Sequence, residues 1–335
     1  MGQPDFGPDG VAQNTFAILR QRQVRFVGVN GPDATINVHL KRAAPTAKEL
    51  KILPGTCNGF KLRYHQGNSN AVTPTAIAES STACSLHMAA HATFYTCGSS
   101  ISVGNDRSAG TLGCLVRDAQ GILYGLSNNH VSGSCNYAPA GLPIIAPGVA
   151  DVSPLNPYPF TLGIHSRQLS MRMGDPSSVD ALDNSDAAIF QIVNDAPISS
   201  MQRTFYDTPP SCVDIAPGMQ VEKVGRSSER TTGTVRSEVV GSFPIVYSAP
   251  QYNFSGTVYF EPLYVVYGVG DRFSEAGDSG SLVTYVDSQG LRHGVGLVVA
   301  GLDDSSAPGQ KCSLVLPLKP ILDRLQLTLV TQHNC

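Results

Sequence analysis

From about residue 93 onward, apolar residues come in short runs separated by clusters of Gly, Asn, Asp and Ser: CGSSIS, GTLGCLVRD, ILYGLSNNHV, DAAIFQIV, MQVEKVG, TGTVRSEVV, TVYFEPLYVVYG, GSLVTYV and HGVGLVVAG. Short strands spaced by turn residues predict an antiparallel barrel or sandwich. The Gln-Gly turn in RDAQGILY lies between two such runs and predicts a hairpin. Near the end the period changes. In LPLKPILDRLQLTLV the residues Leu318, Ile321, Leu322 and Leu325 recur at helical spacing, so a C-terminal helix packed on the strands is expected. Residues 132–180 form a long excursion punctuated by Pro and Gly, of the kind that often builds a rim or lid.

The first ninety or so residues pattern differently. A short helix is expected around Gly10 to Gln23, then strands at Val24 to Val29 and Ala34 to Leu40, a polar segment APTAKELKILPG, and a further strand at Phe60 to Tyr64. Residues 66–92 are rich in Ser, Thr, Asn and Ala without sustained period and read as a linker with at most one short helix. The expected organisation is a small α/β accessory domain with its linker over 1–92 and an all-β domain over 93–335.

Composition agrees with a turn-rich β protein, since only 15% of the 335 residues are charged while Gly (33) and Pro (23) are plentiful. A net charge of −3 argues against a nucleic-acid partner, which calls for a basic stripe. Residues 1–95 hold nine Lys/Arg against five Asp/Glu, and the remainder fourteen against twenty-one. Scatter explains that asymmetry as well as electrostatic docking of the two parts does. No basic stretch followed by an apolar one opens the chain, and no run approaches a membrane span, so a cytoplasmic protein with no membrane partner is expected. Gly2 lacks the downstream Ser or Thr of a myristoylation motif. The cysteines, Cys57, Cys84, Cys97, Cys114, Cys135, Cys212, Cys312 and Cys335, form no C-x-x-C pair and are expected reduced; with a lost leader, Cys114 and Cys135 could be bridged. His87 and His91 stand four apart but have no Glu between them and no third ligand. No metal and no cofactor is implied.

Three short segments carry chemistry. Ala276-Gly277-Asp278-Ser279-Gly280-Ser281 leads directly into the apolar run LVTYV. A serine hydroxyl needs a neighbouring base and backbone donors for the oxyanion it creates. Glycines on both sides let the N–H groups of Gly277 and Ser279 converge beside that hydroxyl, although a plain β-turn has the same composition. His130, in LSNNHV, ends an apolar strand, where a general base has a fixed ring and an open edge, as a capping histidine also does. Asp186, in DNSDAAIF, immediately precedes an apolar strand, and its small neighbours Ala187 and Ala188 allow its burial against an imidazole. Asp183 in the preceding polar turn is the competing carboxylate.

The order His130, Asp186, Ser279, with the motifs NNHV, DAAI and GDSGS, resembles the trypsin/chymotrypsin superfamily of serine endopeptidases, which are built from two six-stranded β-barrels. Within it the chain is most similar to intracellular bacterial trypsin-like peptidases and the plant narrow-leaf-type protease, where a Gly-Arg followed by Thr-Thr-Gly-x-Val recurs, here Gly225-Arg226 and Thr231 to Val235. The resemblance spans about residues 93–330. It implies a catalytic triad of those three residues, an oxyanion hole from Gly277 and Ser279, a substrate-pairing strand at Val299-Ala300-Gly301, and Phe273 at the floor of the pocket that receives the residue before the cut. Trypsin proper has an acidic residue there, so a non-basic residue before the cut is expected, with Glu275 or the pair Asp303 and Asp304 as other sources of charge. No basic site followed by an Ile-Val-Gly-Gly start is present, so Asp278 needs another partner than a freed N-terminus.

The resemblance therefore implies acyl transfer to a protein or peptide substrate, under control of the N-terminal unit or the 132–180 loop. By analogy with intracellular relatives it also suggests cleavage of one effector in bacterial defence. A different class of function is a silent or gated scaffold that binds a regulatory partner or a second copy, a role that does not require all three triad residues. An α/β-hydrolase is disfavoured, because its elbow is Gly-x-Ser-x-Gly and its histidine comes last.

Overall fold

The computed structural model describes residues 13–71, 86–89, 92–153, 159–174 and 177–335. Cys84 and His91 lie outside them, as does the side chain of His87. The chain begins with α1 (Gln13–Arg22), then β1 (Val24–Asn30) and β2 (Thr35–Leu40), paired antiparallel with Asn30 opposite Thr35. Asn30 closes the turn by accepting from the Asp33 N–H at 3.0 Å. The polar segment that follows contains one helical turn, α2 (Ala47–Leu50), whose Thr46 and Glu49 form a capping box, and Glu49 pairs with Arg22 at 2.7 Å. After β3 (Thr56–Cys57), β4 (Phe60–Ala71) runs parallel to β2. In the linker region the described residues Leu86–Ala89 are a strand, β5, rather than a helix.

The middle of the chain supplies β6 (Ala92–Cys97), β7 (Ser100–Val103), β8 (Gly110–Thr111), β9 (Cys114–Arg117), β10 (Leu123–Ser127), α3 (Asn129–Ser132), β11 (Pro143–Ala146), β12 (Phe160–Gln168), β13 (Ala188–Ile192), β14 (Ile198–Gln202) and β15 (Tyr206–Asp207). The β9–β10 hairpin turns where the Gln-Gly signal lies, with Gly121 at φ +83° and Asp118 accepting from the N–H groups of Gln120 and Ile122. The 132–180 excursion is more ordered than a loop. Its β11 and β12 pair with each other and continue the sheet through β7 and β13, and their prolines stand at or beyond the strand ends.

The last third gives β16 (Gln220–Gly225), β17 (Glu229–Val239), β18 (Phe243–Ala249), β19 (Phe254–Phe260), β20 (Tyr264–Gly268), β21 (Leu282–Val286), β22 (Arg292–Asp304), β23 (Lys311–Pro317), α4 (Leu318–Leu325) and β24 (Thr328–Leu329). In α4 the four residues at helical spacing, Leu318, Ile321, Leu322 and Leu325, are all buried.

Two large sheets result. One is an open run of eight strands, β24-β9-β10-β13-β12-β11-β7-β8, over a core that includes Leu115, Val131, Ile144, Leu162 and Phe190. In the other, β16-β21-β22-β23-β20-β17 closes into a ring of six through β16–β17 pairing, packed inside with Val221, Val235, Val266, Val283, Val298 and Val315. Of the two closed barrels expected over residues 93–330, the later one closes, whereas the eight-stranded sheet has no closing pairing among the described residues. The N-terminal strands join that same sheet: β1 pairs with β17, and the end of β4 pairs with β22. Strands β1, β2 and β4 therefore complete a second circuit with β17, β20, β23 and β22. The described part of residues 1–92, read from sequence as an accessory unit, shares its backbone hydrogen bonding with residues 229–304.

That second circuit brings together a buried polar cluster. The His39 ring stacks on Phe26 at 4.1 Å and on His65 at 4.9 Å, and its Nδ1 lies 3.5 Å from Asp304. Asp304 also accepts from Tyr267 and from the Ser306 N–H and hydroxyl. Burial pushes His39 down to about 3, against the pull of Asp304 and with His65, Arg25 and Arg236 adding to the lowering. His39 therefore loses its proton on folding. Its contribution to stability is full above the ordinary histidine value of 6.5 and is lost as pH falls toward 3. Thermal melts are expected to give a Tm a few degrees lower at pH 5 than at pH 7, and His39→Gln should flatten this slope even though it lowers both values. An equal slope in the variant would remove His39 as the source.

Candidate active site

Strand β10 is buried along its whole length, and Asn128 just beyond it is still extended at φ −69° and ψ 152° before α3 turns the chain back. The β10–β13 register sets Ser127 opposite Ala188. The residues just beyond each strand end, His130 and Asp186, therefore come face to face. Asp186 is fully buried beside Ala187 and Ala188. Its Oδ1 accepts from the His130 N–H at 2.9 Å, and its Oδ2 lies 2.5 Å from His130 Nδ1. Asn128 Nδ2 donates to the Asp186 carbonyl at 2.7 Å. Because a carboxylate only accepts, this arrangement makes Nδ1 the protonated nitrogen and leaves Nε2 as the acceptor. Nε2 is buried and has no hydrogen-bond partner among the described residues. Asp183, the alternative carboxylate, is exposed, with its backbone carbonyl held by Arg324.

Tyr247 completes the arrangement. Its hydroxyl donates to Asp186 Oδ2 at 3.0 Å from the buried face of the β18–β19 hairpin, and its ring lies 5.6 Å from that of His130. Burial, with Asp186 beside it, raises the Tyr247 phenol well above its ordinary value, so it stays a donor. Local sequence gives no sign of this residue, which occupies an unremarkable inward position of an alternating strand.

The Ser279 turn is pressed against the strand that leads to His130. The Thr111 N–H donates to the Ser279 carbonyl at 2.8 Å, and the Thr111 hydroxyl donates to the Gly277 carbonyl at 2.8 Å. Gly280, at φ +91°, lies so close to this strand that a Cβ would fall 2.3 Å from Ser127 Oγ and 3.3 Å from the Asn128 nitrogen. Only glycine fits there. Gly277 is likewise left-handed at φ +96°, with the Arg226 guanidinium against its Cα. Arg226 is buried and forked onto Asp151, so a residue of the 132–180 excursion backs the turn. No backbone hydrogen bond among the described residues consumes the N–H of Gly277 or of Ser279. Ser279 itself is 8% exposed, at the edge of solvent.

Asp278 points the other way and is fully buried. It meets Lys223 Nζ at 3.0 Å, the Ser228 hydroxyl, and the N–H groups of Ser227, Ser228 and Glu275. Burial alone would raise its pKa, but Lys223, Ser228 and these N–H groups hold it below the usual carboxylate range. The partner that Asp278 needs is thus internal. Its sequence signal was available: in MQVEKVG, Lys223 is in phase with Val221 and Gly225 on the inward face, where a charge requires a buried counter-charge.

The residues assigned to substrate contact divide. Val299, Ala300 and Gly301 lie on β22 just beyond Val298, which accepts from the Gly280 N–H at 2.9 Å. Phe273 does not face a cleft. Its ring is fully buried inside the six-stranded ring against Gly233, and its carbonyl accepts from Thr231. The side chain six residues before Ser279 thus fills the core. Glu275 pairs with Arg272 at 2.9 Å, and Asp304 is held in the histidine cluster. Asp303 lines a cavity of about 370 Å³ with Gln66, Arg272 and Lys311. The seven described cysteines are free, Cys114 and Cys135 among them.

Among the described residues no helix is long and apolar enough to cross a membrane. No family model matches the chain, and no curated protein matches it. Among solved structures it is similar to Thermobifida fusca protease A, at 16% identity and a TM-score of 0.44 over 70% of this chain and 98% of that one. It is also similar to a Nocardiopsis protease (17%, TM-score 0.43, 70% and 97%) and to Cellulomonas bogoriensis chymotrypsin (17%, TM-score 0.43, 71% and 98%).

Proposed function

We propose that this chain is a serine endopeptidase of the trypsin/chymotrypsin superfamily, with Ser279 as nucleophile, His130 as base and Asp186 as the residue that orients it. The observation that carries the reading is the His130–Asp186 pair, bonded at both Nδ1 and the backbone N–H, with its Nε2 unpartnered and the Ser279 turn packed on the strand that leads to it. In the proposed reaction Ser279 Oγ attacks the peptide carbonyl while Nε2 takes its proton, and Asp186 stabilises the imidazolium. The oxyanion accepts from the N–H groups of Gly277 and Ser279. Collapse expels the amine with the proton from His130, and water then releases the acyl group by the same path. A non-basic residue before the cut is supported by the pairing of Glu275 and Asp304 with other groups of the chain.

A fluorophosphonate probe is expected to label the native chain and not Ser279→Ala. Equal labelling of the two, or none of either, sinks the reading. The same two proteins incubated with a cell lysate should differ by new protein N-termini that follow neutral residues; cuts after Lys or Arg would overturn the specificity.

A further inference from the structure

A trans peptide group holds its N–H and its carbonyl on opposite sides, so whatever grips the carbonyl also aims the N–H. Two such groups carry the N–H groups proposed to receive the oxyanion. In one, the Asp278 carbonyl accepts from the Ser281 N–H at 3.0 Å and from the Ser281 hydroxyl at 2.6 Å, within the same turn. In the other, the Ala276 carbonyl accepts from the Ser227 hydroxyl at 2.6 Å, and Ser227 belongs to a distant part of the chain. The Gly277 N–H therefore points away from Ser227. Gly277 has no side chain to brace it, and glycine permits several orientations of the peptides on either side.

A hydroxyl that accepts from one donor has its single proton directed elsewhere. At both hydroxyls that hold Gly277, that donor is Arg226. Its Nη1 donates to Ser227 Oγ at 3.0 Å, and its backbone N–H donates to Thr111 Oγ1 at 3.0 Å. The Thr111 hydroxyl in turn donates to the Gly277 carbonyl at 2.8 Å. One residue thus orients the two hydroxyls that grip the carbonyls before and after the Gly277 Cα.

Arg226 is itself fixed from the other sheet. Its Nε donates to Asp151 Oδ2 at 2.6 Å and its Nη2 to Asp151 Oδ1, a two-point fork that leaves Nη1 aimed at Ser227. Both side chains of this pair are buried. Asp151 ends a short helical turn, Val149–Asp151, in the 132–180 excursion. That turn is tied to β7, because Ser100 donates its hydroxyl to Asp151, while the Gly148 and Val149 N–H groups donate to the hydroxyls of Ser100 and Ser102 at 3.1 and 3.0 Å.

We propose that Arg226 and Ser227 are positioning residues: the Asp151–Arg226 fork orients the Ser227 hydroxyl, and this hydroxyl sets the direction of the Gly277 N–H. The proposal rests on the peptidase reading for its consequence, since the N–H so aimed is one of the two assigned to the oxyanion. It gives the 132–180 excursion a route to the site. A shift of residues 148–151 that loosens the fork releases the Gly277 peptide without touching the triad.

Ser227→Ala tests this while leaving the ion pair in place. With the full chain and an N-acetylated peptide 4-nitroanilide, kcat should fall about tenfold and KM should stay within about twofold, because an oxyanion donor acts in the transition state. Ser227→Thr keeps the hydroxyl and should return to within about threefold of wild type. Asp151→Asn, if it folds, should lower kcat by about tenfold or more, again with little change in KM. A peptide aldehyde, whose hemiacetal oxygen takes the place of the oxyanion, should lose affinity for Ser227→Ala in step with kcat/KM, while the peptide alcohol of the same sequence binds as it does to wild type. A kcat for Ser227→Ala within about twofold of wild type overturns the proposal, and so does equal weakening of aldehyde and alcohol, the mark of a merely structural role. Crystal structures of wild type and Ser227→Ala separate this inference from the peptidase reading. The variant should show the Ala276–Gly277 peptide turned, or divided between two orientations. If wild type neither hydrolyses nor takes the probe, acyl transfer is refuted and that rotation still supports the positioning role; a peptide unmoved in the variant refutes it whatever the activity.

Discussion

Asp186→Asn should lower kcat by about 10⁴-fold while leaving the fold intact. The carboxylate does two things at once: Oδ1 anchors the His130 backbone and Oδ2 fixes the ring. An amide of the same size can still accept once, but its NH₂ group facing Nδ1 favours the tautomer with the proton on Nε2, where the base must be empty. Peptide hydrolysis and probe labelling should fall together, and circular dichroism and Tm should change little. A variant that keeps more than about a tenth of the wild-type rate would show that Asp186 is not the orienting residue. Tyr247→Phe is the natural control. It removes one donor from Oδ2 and should cost about three- to tenfold in kcat.

Lys223→Met should be nearly as damaging, by a different route. It keeps the length and volume of the side chain but leaves Asp278 charged, fully buried and without its counter-ion. Breaking a buried pair from one side costs about 3–5 kcal/mol, because the remaining charge stays desolvated. Asp278 lies between Gly277 and Ser279, so strain at this carboxylate acts directly on the two N–H groups proposed to receive the oxyanion. Urea unfolding should show the stability loss, and the fraction of chain labelled by fluorophosphonate should drop at least tenfold even where the protein remains folded. Lys223→Met combined with Asp278→Asn should recover part of the stability but not the activity. A single variant as stable and as reactive as wild type would mean that Ser228 and the three backbone N–H groups hold Asp278 unaided.

The meeting of His130 and Asp186 and the tight turn at Ser279 were legible because their signals are local. A strand end followed by His130, a strand start preceded by Asp186, and glycines around Ser279 each constrain a few neighbouring residues, and the observed geometry uses those constraints. The same holds for α4, whose four buried side chains follow one helical period. What sequence did not show depends on contacts between distant segments. Tyr247 reaches Asp186 across 61 residues and Lys223 reaches Asp278 across 55, and no local pattern encodes such a meeting. The full burial of Phe273 was not legible for a related reason, since a position in a motif does not say which face of the chain its side chain takes. The prolines and glycines of 132–180 hid β11 and β12, because strands as short as Pro143–Ala146 carry almost no alternation of their own. The extent of the N-terminal segment's involvement was hidden too, as strand pairing such as β1 with β17 joins residues some two hundred apart.

The strands common to both circuits have a further consequence. Along β20, β22 and β23 successive residues serve different cores: Val266, Val298 and Val315 point into the six-stranded ring, while their neighbours Val265, Val299, Leu314 and Leu316 belong to the larger cluster outside it. This is why those stretches read as unbroken apolar runs rather than alternating ones. A party wall of this kind has no seam. Trimming the chain at residue 92 would take Phe26 from the larger cluster, strip His39 from Asp304 and leave the end of β17 as a raw edge, so a chain cut there is expected to lose solubility as well as stability.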